Sequence, residues 1–354
     1  MAFDVVMSLK NGETPNMSGV TLWLINVNFV FCFVVFRSNI INKPTYDERQ
    51  RSMRSYAIIE APSVLGHIPT HLGVAKMPDS FRQNGFTDLI GAKKVTRVES
   101  PRWRAERDAE TQMMNPTEIN QYSVQLADAV GLAIDAGDFP VVIGGDCSII
   151  LGNLLALRRR GRYGIFYVDG HTDFYRPDLN PILGAASASD LYFITGRGPD
   201  IVSNIEGLRP LVRDEDVAVF GYRDGATQVH NRCEVLPESM LALNRNQVRI
   251  LGTETAAEDA VTFLTREDGP EGYWIHIDAD CLDQSIMWAC DAPQPDGFMW
   301  DDLATILRVA MSSPKAIGLQ LTIYNPEMDP DGLAGRGFAR TVGKALAAAR
   351  ASRD

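Results

Sequence analysis

Three short acidic clusters contain the residues whose types and spacing could bind metal ions. They occupy residues 144–148 (GGDCS), 169–173 (DGHTD) and 278–280 (DAD). Because side chains alternate between the two faces of an extended segment, every second residue of such a cluster projects to the same side. The metal-capable side chains that this spacing brings to one side are Asp169, His171, Asp173, Asp278 and Asp280.

Four carboxylates and one imidazole limit the chemistry that these residues can do. Crowded carboxylates repel one another and are driven towards protonation unless a multivalent cation neutralises them. Oxygen ligands with a single imidazole suit Mn²⁺ or Mg²⁺ better than softer ions. Two such ions about 3.5–4 Å apart could share carboxylates and a bridging hydroxide, which would be the nucleophile. The clusters therefore predict a two-metal hydrolytic site.

Buried strands are expected to position these clusters. Each cluster directly follows an apolar, largely β-branched run, and parallel strands end at the same edge of a sheet, where open α/β proteins bind ligands. Strand-like runs alternate with amphipathic, helix-like runs, which is typical of βαβ units. The predicted strands are 56–61, 141–143, 164–168, 217–220, 248–251, 273–277 and 316–323. The predicted helices are 118–136, 149–160, 256–265, 301–311 and 337–351.

The three clusters resemble the GGDHS, DAHxD and DxDxxDP signatures of the ureohydrolases, the arginase and agmatinase family. The resemblance extends from about Tyr56 to the C-terminus. It includes the segments 61–66 (APSVLG), 221–224 (GYRD) and 324–326 (YNP). It implies an α/β fold with three α/β/α layers around a wide, mostly parallel sheet, as in arginase.

The resemblance also implies a reaction and a cofactor. Members of this family hydrolyse a C–N bond of a guanidino compound or a related linear amidine with a metal-bridging hydroxide, releasing urea or an equivalent product. We therefore expect two Mn²⁺ ions per chain, a small-molecule amidine substrate, and Asp173 as the catalytic group that takes the proton. Trimers and hexamers are common in the family, which implies a homo-oligomer. The implied metal ligands are Cys147, Asp169, His171, Asp173, Asp278 and Asp280.

The chain departs from the family signatures at several positions. Cys147 stands where the first signature has His, and a thiol binds metal only as a thiolate, which is softer than Mn²⁺ prefers. One metal position is therefore uncertain, and Cys147 could instead be a small buried apolar residue. Residues 184–190 (GAASASD) lack the family's active-site histidine, and no acidic residue directly precedes Asn325. A non-catalytic subunit or metabolite sensor with this fold remains an alternative to the enzyme.

Three further polar residues near these segments have competing interpretations. Ser148 precedes an apolar-periodic run, so we expect it to be the N-cap of a helix rather than a nucleophile. His276 lies within a predicted strand and is more typical of a hydrogen-bonded strand histidine than of a ligand. His230 could supply the missing proton relay.

Length and composition fit an enzyme with one large domain. A chain of 354 residues, 45% of them hydrophobic, can bury a sizeable core within a single α/β domain. The net charge of -11 and the lack of an extended basic patch argue against nucleic-acid binding. The five cysteines have no CxxC spacing, which favours a reducing, cytoplasmic location over a disulfide scaffold or zinc knuckle.

The N-terminal segment 1–52 is set apart from the rest of the chain. Its apolar stretch 20–36 is at the lower limit for spanning a bilayer, and its polar lead is unusual for a signal peptide. We interpret 1–52 as an extension outside the mature enzyme, with the biological start near Met53, and a membrane anchor at 20–36 as the alternative. The arginase-like metallohydrolase domain is then 53–354.

Overall fold

The chain divides into two units, Met1–Arg49 and Gln50–Asp354. The structure is a computed structural model that describes residues 26–27, 30–31, 55–177, 184–225, 228 and 233–351. Within the first unit, Asn26–Val27 and Val30–Phe31 pair as short antiparallel strands. The boundary predicted near residue 53 and the rest of the apolar stretch 20–36 lie outside the described residues. Among the described residues, no helix has the length and apolar character needed to cross a membrane.

An eight-stranded sheet forms the centre of the second unit. The strands are β1 (Tyr56–Glu60), β2 (Lys94–Arg97), β3 (Phe139–Ile143), β4 (Tyr163–Val168), β5 (Val217–Phe220), β6 (Leu241–Leu243), β7 (Gly272–Asp278) and β8 (Ala316–Thr322). All of the described strand pairs are parallel, in the order β2-β1-β3-β8-β7-β4-β5-β6.

Helices cover both faces of this sheet. The described α-helices are α1 (Met77–Gln83), α2 (Phe86–Ile90), α3 (Pro116–Asp135), α4 (Ile150–Arg158), α5 (Asp190–Ile194), α6 (Asp200–Ser203), α7 (Arg245–Leu251), α8 (Thr253–Thr265), α9 (Trp300–Ser312) and α10 (Leu333–Ala351). Short 3-10 helices at Cys147–Ile149 and Ala279–Cys281 follow β3 and β7.

Alternation along the strands produces two separate cores. Successive residues of β4 illustrate this, because Phe166 packs in one core with α8 and α9, and Tyr167 packs in the other with α3 and α4. Residues of both cores are apolar, so the central strands are buried on both faces, as expected for a parallel sheet. The predicted three-layer α/β/α architecture is confirmed, and the described sheet is entirely parallel.

The sequence predictions were wrong at a few elements. The run 248–251 lies in α7, which begins at a capping box between Asn244 and Gln247 and buries Val248. The strands β2 and β6 were missed because they are short and their side chains are exposed or half-buried. Ser148 is not the N-cap, because the Asp146 side chain accepts the Ser148 amide hydrogen bond at 2.9 Å and caps the turn instead.

Candidate metal centre

The carboxyl ends of β3, β7 and β4 carry the three clusters at one edge of the sheet. Asp169 directly follows β4, Asp278 is the last residue of β7, and Cys147 lies just beyond β3. The strand β8 separates β3 from β7 and contributes Thr322 to the same edge. The parallel topology therefore brings the third cluster beside the first two, which precede it in sequence by more than a hundred residues.

Backbone hydrogen bonds fix the two carboxylates that begin these turns. Asp169 Oδ1 accepts from the His171 amide at 2.7 Å, and Asp278 Oδ1 accepts from the Asp280 amide at 2.7 Å. The Gly170 amide donates across to Asp280 Oδ1 at 3.1 Å and joins the two turns. One oxygen of each leading carboxylate is therefore held by the backbone, and the other is directed into the site.

Two neighbouring residues support these turns from outside. The Asp224 carboxylate accepts hydrogen bonds from Thr172, Tyr175 and Gln228. The bonds from Thr172, which belongs to the second cluster, hold that turn in place. Arg223 donates to the Asp280 carbonyl at 2.8 Å, and a Cβ on Gly170 would lie 2.6 Å from its guanidinium. Glycine at position 170 therefore allows Arg223 to pack against the turn.

His171 lies between two of the candidate carboxylates. Its Nδ1 is 3.0 Å from Asp280 Oδ2 and 3.8 Å from Asp169 Oδ1. Ligand atoms of these three residues all lie within 4.8 Å of one another. Its other ring nitrogen, Nε2, is 3.1 Å from the Gln294 side-chain amide. This arrangement can hold a divalent ion without a large movement of the backbone.

Cys147 contacts the third cluster directly. Its Sγ lies 2.7 Å from Asp278 Oδ2 and 3.3 Å from the Thr322 hydroxyl. Gly145 allows this turn to pack closely, since a Cβ there would lie 1.8 Å from the Ser63 carbonyl oxygen. The thiol is buried among carboxylates rather than among apolar side chains alone.

Asp173 is the sixth candidate ligand, and it lies to one side of the other five. Its backbone has a φ of 42°, in the left-handed region, and its Oδ2 is 3.3 Å from the Tyr167 hydroxyl. Among the described residues, Asp173 belongs to none of the groups whose ligand atoms converge within 4.8 Å. The structure thus gathers all six candidates at one edge of the sheet, with Asp173 beside the tighter groups.

Burial and mutual repulsion raise the pKa values of most of these carboxyl groups. Burial first, and then the charge of Asp280, raises the pKa of Asp278 well above its ordinary range. The pKa of Asp173 is raised in the same way, by burial and then by Asp169. Burial lowers the pKa of His171, but the charge and hydrogen bond of Asp280, together with the charges of Asp169 and Asp224, raise that pKa to about 9.

Several buried polar atoms at the site lack a hydrogen-bond partner among the described residues. They include Asp169 Oδ2, Asp190 Oδ2 and His276 Nε2. Unsatisfied carboxylate oxygens in a buried acidic cluster are the groups that a cation would neutralise. Oxygen donors with an imidazole fit a hard divalent ion such as Mn²⁺.

Comparisons with known proteins decide the family. A sequence model of the arginase family matches residues 54–349. This chain belongs to the arginase family. An arginase of Staphylococcus aureus (strain MRSA252) is 23% identical over 283 residues, which cover 77% of this chain and 90% of that protein.

Solved structures support the same architecture. The arginase from Bacillus caldovelox superposes with a TM-score of 0.73 at 20% identity, covering 83% of this chain and 98% of that one. Formimidoylglutamase from Bacillus subtilis subsp. subtilis str. 168 gives a TM-score of 0.61 at 16% identity, covering 83% and 87% of the two chains. At these identities the likeness establishes the fold.

The chain departs from the signatures of the arginase family in the segment 184–190 and in the residues around Asn325. The segment 184–190 contributes Asp190, which is fully buried and accepts from the Tyr167 hydroxyl at 2.7 Å. Ile323, just before Tyr324 and Asn325, has a φ of 69°, which is unusual for a β-branched residue. Glu327 pairs with Lys76 at the surface. His230 lies outside the described residues.

Sequence reasoning missed Asp190 and Tyr167, two groups that complete the site, and did not foresee that His276 also faces a candidate ligand. Asp190 was seen only as part of a segment without histidine, and Tyr167 only as a strand residue. His276 was predicted to be a hydrogen-bonded strand histidine, and its Nδ1 does accept from Gln320 at 2.7 Å, but its Nε2 faces Asp169 Oδ2 at 3.5 Å. The signal for His276 was its position two residues before Asp278, on the same face of β7.

Proposed function

We propose that this arginase-family chain is a hydrolase that cleaves a C–N bond of a guanidino compound or a related linear amidine with the help of Mn²⁺. The observation that carries the proposal is the convergence of Asp169, His171 and Asp280 on one point at the carboxyl edge of the sheet. Family membership over residues 54–349 supports the reaction class.

The candidate ligands that the family resemblance implies are Cys147, Asp169, His171, Asp173, Asp278 and Asp280, and among them Asp169, His171 and Asp280 form the group whose ligand atoms converge. A bound Mn²⁺ would supply Lewis-acid chemistry, lowering the pKa of water and polarising the amidine carbon. The chain's own residues would then orient the substrate and move protons. We assign the proton transfer to Asp173, whose carboxyl lies 3.3 Å from the Tyr167 hydroxyl and beside the residues that would hold the ion.

The absence of the family's active-site histidine affects which leaving groups the enzyme could release. Asp190 occupies the segment in which the family's active-site histidine is expected, and the described part of that segment offers no imidazole. A leaving nitrogen of low basicity needs less help from a general acid, which favours hydroxyguanidino or formimino substrates. Formimidoylglutamase is one of the structural relatives, so a formimino compound belongs in the substrate panel.

Arginine is a less favoured substrate on the same reasoning. After Asp224 the sequence continues Gly225-Ala226-Thr227 and has no second aspartate to pair with an α-amino group. Asp224 itself is already bonded to three neighbouring side chains. The distal part of the substrate would therefore differ from that of arginine.

Product release from a panel of substrates tests the proposal. Protein loaded with Mn²⁺ would be incubated with guanidino, hydroxyguanidino and formimino compounds, and the products of C–N hydrolysis would be measured: urea, hydroxyurea or formamide, together with the released amine. We expect release with at least one compound and its loss in Asp280→Asn, which removes one ligand charge. Glu327→Gln, at the surface, is the matched control and should keep full activity.

The leaving-group argument has its own test. We expect kcat/KM for a guanidine that is hydroxylated on the leaving nitrogen to exceed that for the matching plain guanidine, because hydroxylamine is a weaker base than an alkyl amine and leaves more readily. A strong preference for the plain guanidine would contradict the argument while leaving the reaction class intact.

One contact favours a second candidate function. Cys147 is bonded to Asp278 in the position where the signature has a metal-binding histidine, which suits a non-catalytic subunit or metabolite sensor. That alternative predicts no turnover of any amidine by the Mn²⁺-loaded protein.

The proposal extends to cellular location and assembly. The four described cysteines are unpaired, which supports a reducing, cytoplasmic location. We also propose a homo-oligomer, a trimer or hexamer, on the family resemblance, and light scattering on the purified protein would measure it. A small-molecule amidine is the proposed partner, and the net charge of -11 is unfavourable for nucleic acid.

A further inference from the structure

Two histidines face the carboxylate cluster, and their second ring nitrogens have different surroundings. A histidine that binds metal through one nitrogen carries its proton on the other nitrogen and donates it to an acceptor. The partner of the second nitrogen therefore decides whether a histidine can be a ligand. His171 and His276 can be compared directly on this criterion.

His171 can adopt the form that binds metal. Its Nδ1 faces Asp280 and Asp169, and its Nε2 faces the Gln294 amide at 3.1 Å. Among the described residues, that side-chain amide has no other hydrogen bond. Since the oxygen and nitrogen of an amide can exchange by a half-turn, Gln294 can accept the Nε2 proton and leave Nδ1 free for an ion.

His276 is locked in the opposite form. The Trp274 indole, which can only donate, lies 3.0 Å from Gln320 Oε1, and Asn153 donates to the same oxygen at 2.7 Å. The Gln320 nitrogen must therefore face His276 Nδ1, which it contacts at 2.7 Å. His276 Nδ1 accepts, so the ring proton is on Nε2.

The Nε2 proton of His276 faces the site. It lies 3.5 Å from Asp169 Oδ2, and stacking on Tyr167 at 4.4 Å between ring centroids fixes the plane of the imidazole. Distance alone would admit His276 to a metal group with Asp169 and Asp278. Hydrogen bonding excludes it, because a nitrogen that carries a proton has no lone pair for an ion.

Cys147 also presents a proton to the cluster. Its Sγ donates a hydrogen bond to Asp278 Oδ2 at 2.7 Å, and the thiolate that a second ion would need there is softer than Mn²⁺ prefers. The Tyr167 hydroxyl donates to Asp190 Oδ1 at 2.7 Å on the same side. Cys147, Tyr167 and His276 therefore all present protons to this half of the site.

We propose that the chain holds a single divalent ion, on Asp169, His171 and Asp280, and that the S–H of Cys147 and the N–H of His276 point at Asp278 and Asp169 where the family resemblance implies a second ion. The inference rests on the proposed function, because both require the first ion. It deepens that function by assigning the chemistry to one ion.

Metal content and electron paramagnetic resonance of the full-length protein test the inference without any turnover measurement. After chelation and reloading with Mn²⁺, we expect one ion per chain and the spectrum of an isolated Mn²⁺. Two ions per chain with an exchange-coupled spectrum would overturn the inference and leave the proposed function standing. No bound ion would overturn both, whereas one ion without turnover of any amidine would overturn only the proposed function.

Replacing the thiol by an imidazole should restore the second position. We expect Cys147→His to raise the stoichiometry towards two ions and to introduce the coupled spectrum. Cys290→Ser is the matched control, since Cys290 is also a buried thiol but donates to the Met287 carbonyl, and it should keep one ion. A folded Cys147→His protein that still binds one ion would count against the role of the thiol.

The proton position on His276 can be measured directly in the wild-type protein. Long-range ¹H–¹⁵N correlation on histidine-labelled protein reports which ring nitrogen carries the proton, and His276→Gln assigns the signal. We expect the Nε2–H form. A proton on Nδ1 would overturn the inference, because His276 could then bind the second ion.

Discussion

At the scale of single residues, the site combines ligand-like carboxylates with groups that supply protons. Asp169 and Asp278 each use one oxygen to cap their own turn and direct the other inwards. Asp173 stands slightly apart, beside Tyr167. Because Asp173 lies apart from the tighter ligand groups, we assign it proton transfer as well as a contribution to the negative charge of the site.

Replacing Asp173 should therefore affect the reaction more than the fold. We expect Asp173→Asn to lower kcat by about a hundredfold or more, the usual contribution of a positioned acid or base. The Mn²⁺ content of the variant should be measured alongside kcat. An unchanged kcat in a variant with normal metal content would remove Asp173 from the mechanism.

The sequence predicted the part of the candidate site whose residues are closely spaced at the ends of strands. Alternation along strand ends placed Asp169, His171 and Asp280 together, and the structure brings them within reach of one ion. Asp190 could not be placed in this way, because its approach depends on the fold of a loop and not on a strand period.

At the scale of secondary structure elements, the strands β7 and β8 determine which ring nitrogen of His276 carries the proton. Their register sets Gln320 beside His276 and Gly318 beside Trp274. Glycine is required at position 318 because a Cβ there would lie 2.0 Å from the Trp274 ring. The Trp274 indole therefore orients the Gln320 side-chain amide. That amide in turn fixes which ring nitrogen of His276 carries the proton.

Substituting this glycine should disturb both stability and the hydrogen-bond chain. We expect Gly318→Ala to lower the free energy of unfolding by about 1–3 kcal/mol through overpacking against Trp274. Denaturant unfolding measures this change. The control is Gly225→Ala, where no atom lies within 4 Å of the added Cβ and stability should hold. Equal stability of the two variants would contradict the packing argument.

Sequence periodicity predicted the central strands well and the edges poorly. Runs such as 273–277 and 316–323 are apolar on both faces because helices cover both sides of the sheet, so they stand out from their surroundings. The edge strand Lys94–Arg97 has exposed side chains and no such signal. The run 248–251 looked like a strand because Val248 and Ile250 alternate with charged or larger residues, yet the capping box at Asn244 starts a helix.

At the scale of the whole molecule, the domain assignment remains a prediction. The family match begins at residue 54, and the contacts of the chain separate Met1–Arg49 from Gln50–Asp354. The helices α9 and α10 close the core that lies against β7 and β8, so the second unit contains both of its own cores. It should be stable without the N-terminal extension.

Shortening the chain tests this expectation. We expect residues 53–354 alone to fold with the same Tm and the same Mn²⁺ content as the full chain. Thermal unfolding and elemental analysis of both proteins make the comparison. A marked fall in Tm, or loss of the ion, would show that the extension is part of the folded enzyme.

The source of the oxygen in the product tests the central claim most directly. Mn²⁺-loaded protein would turn over the amidine panel in ¹⁸O-labelled water, and mass spectrometry would follow urea or the equivalent amide. Hydrolysis of the C–N bond predicts one labelled oxygen per product molecule, with label lost in Asp280→Asn. The absence of any labelled product across the whole panel would contradict the account.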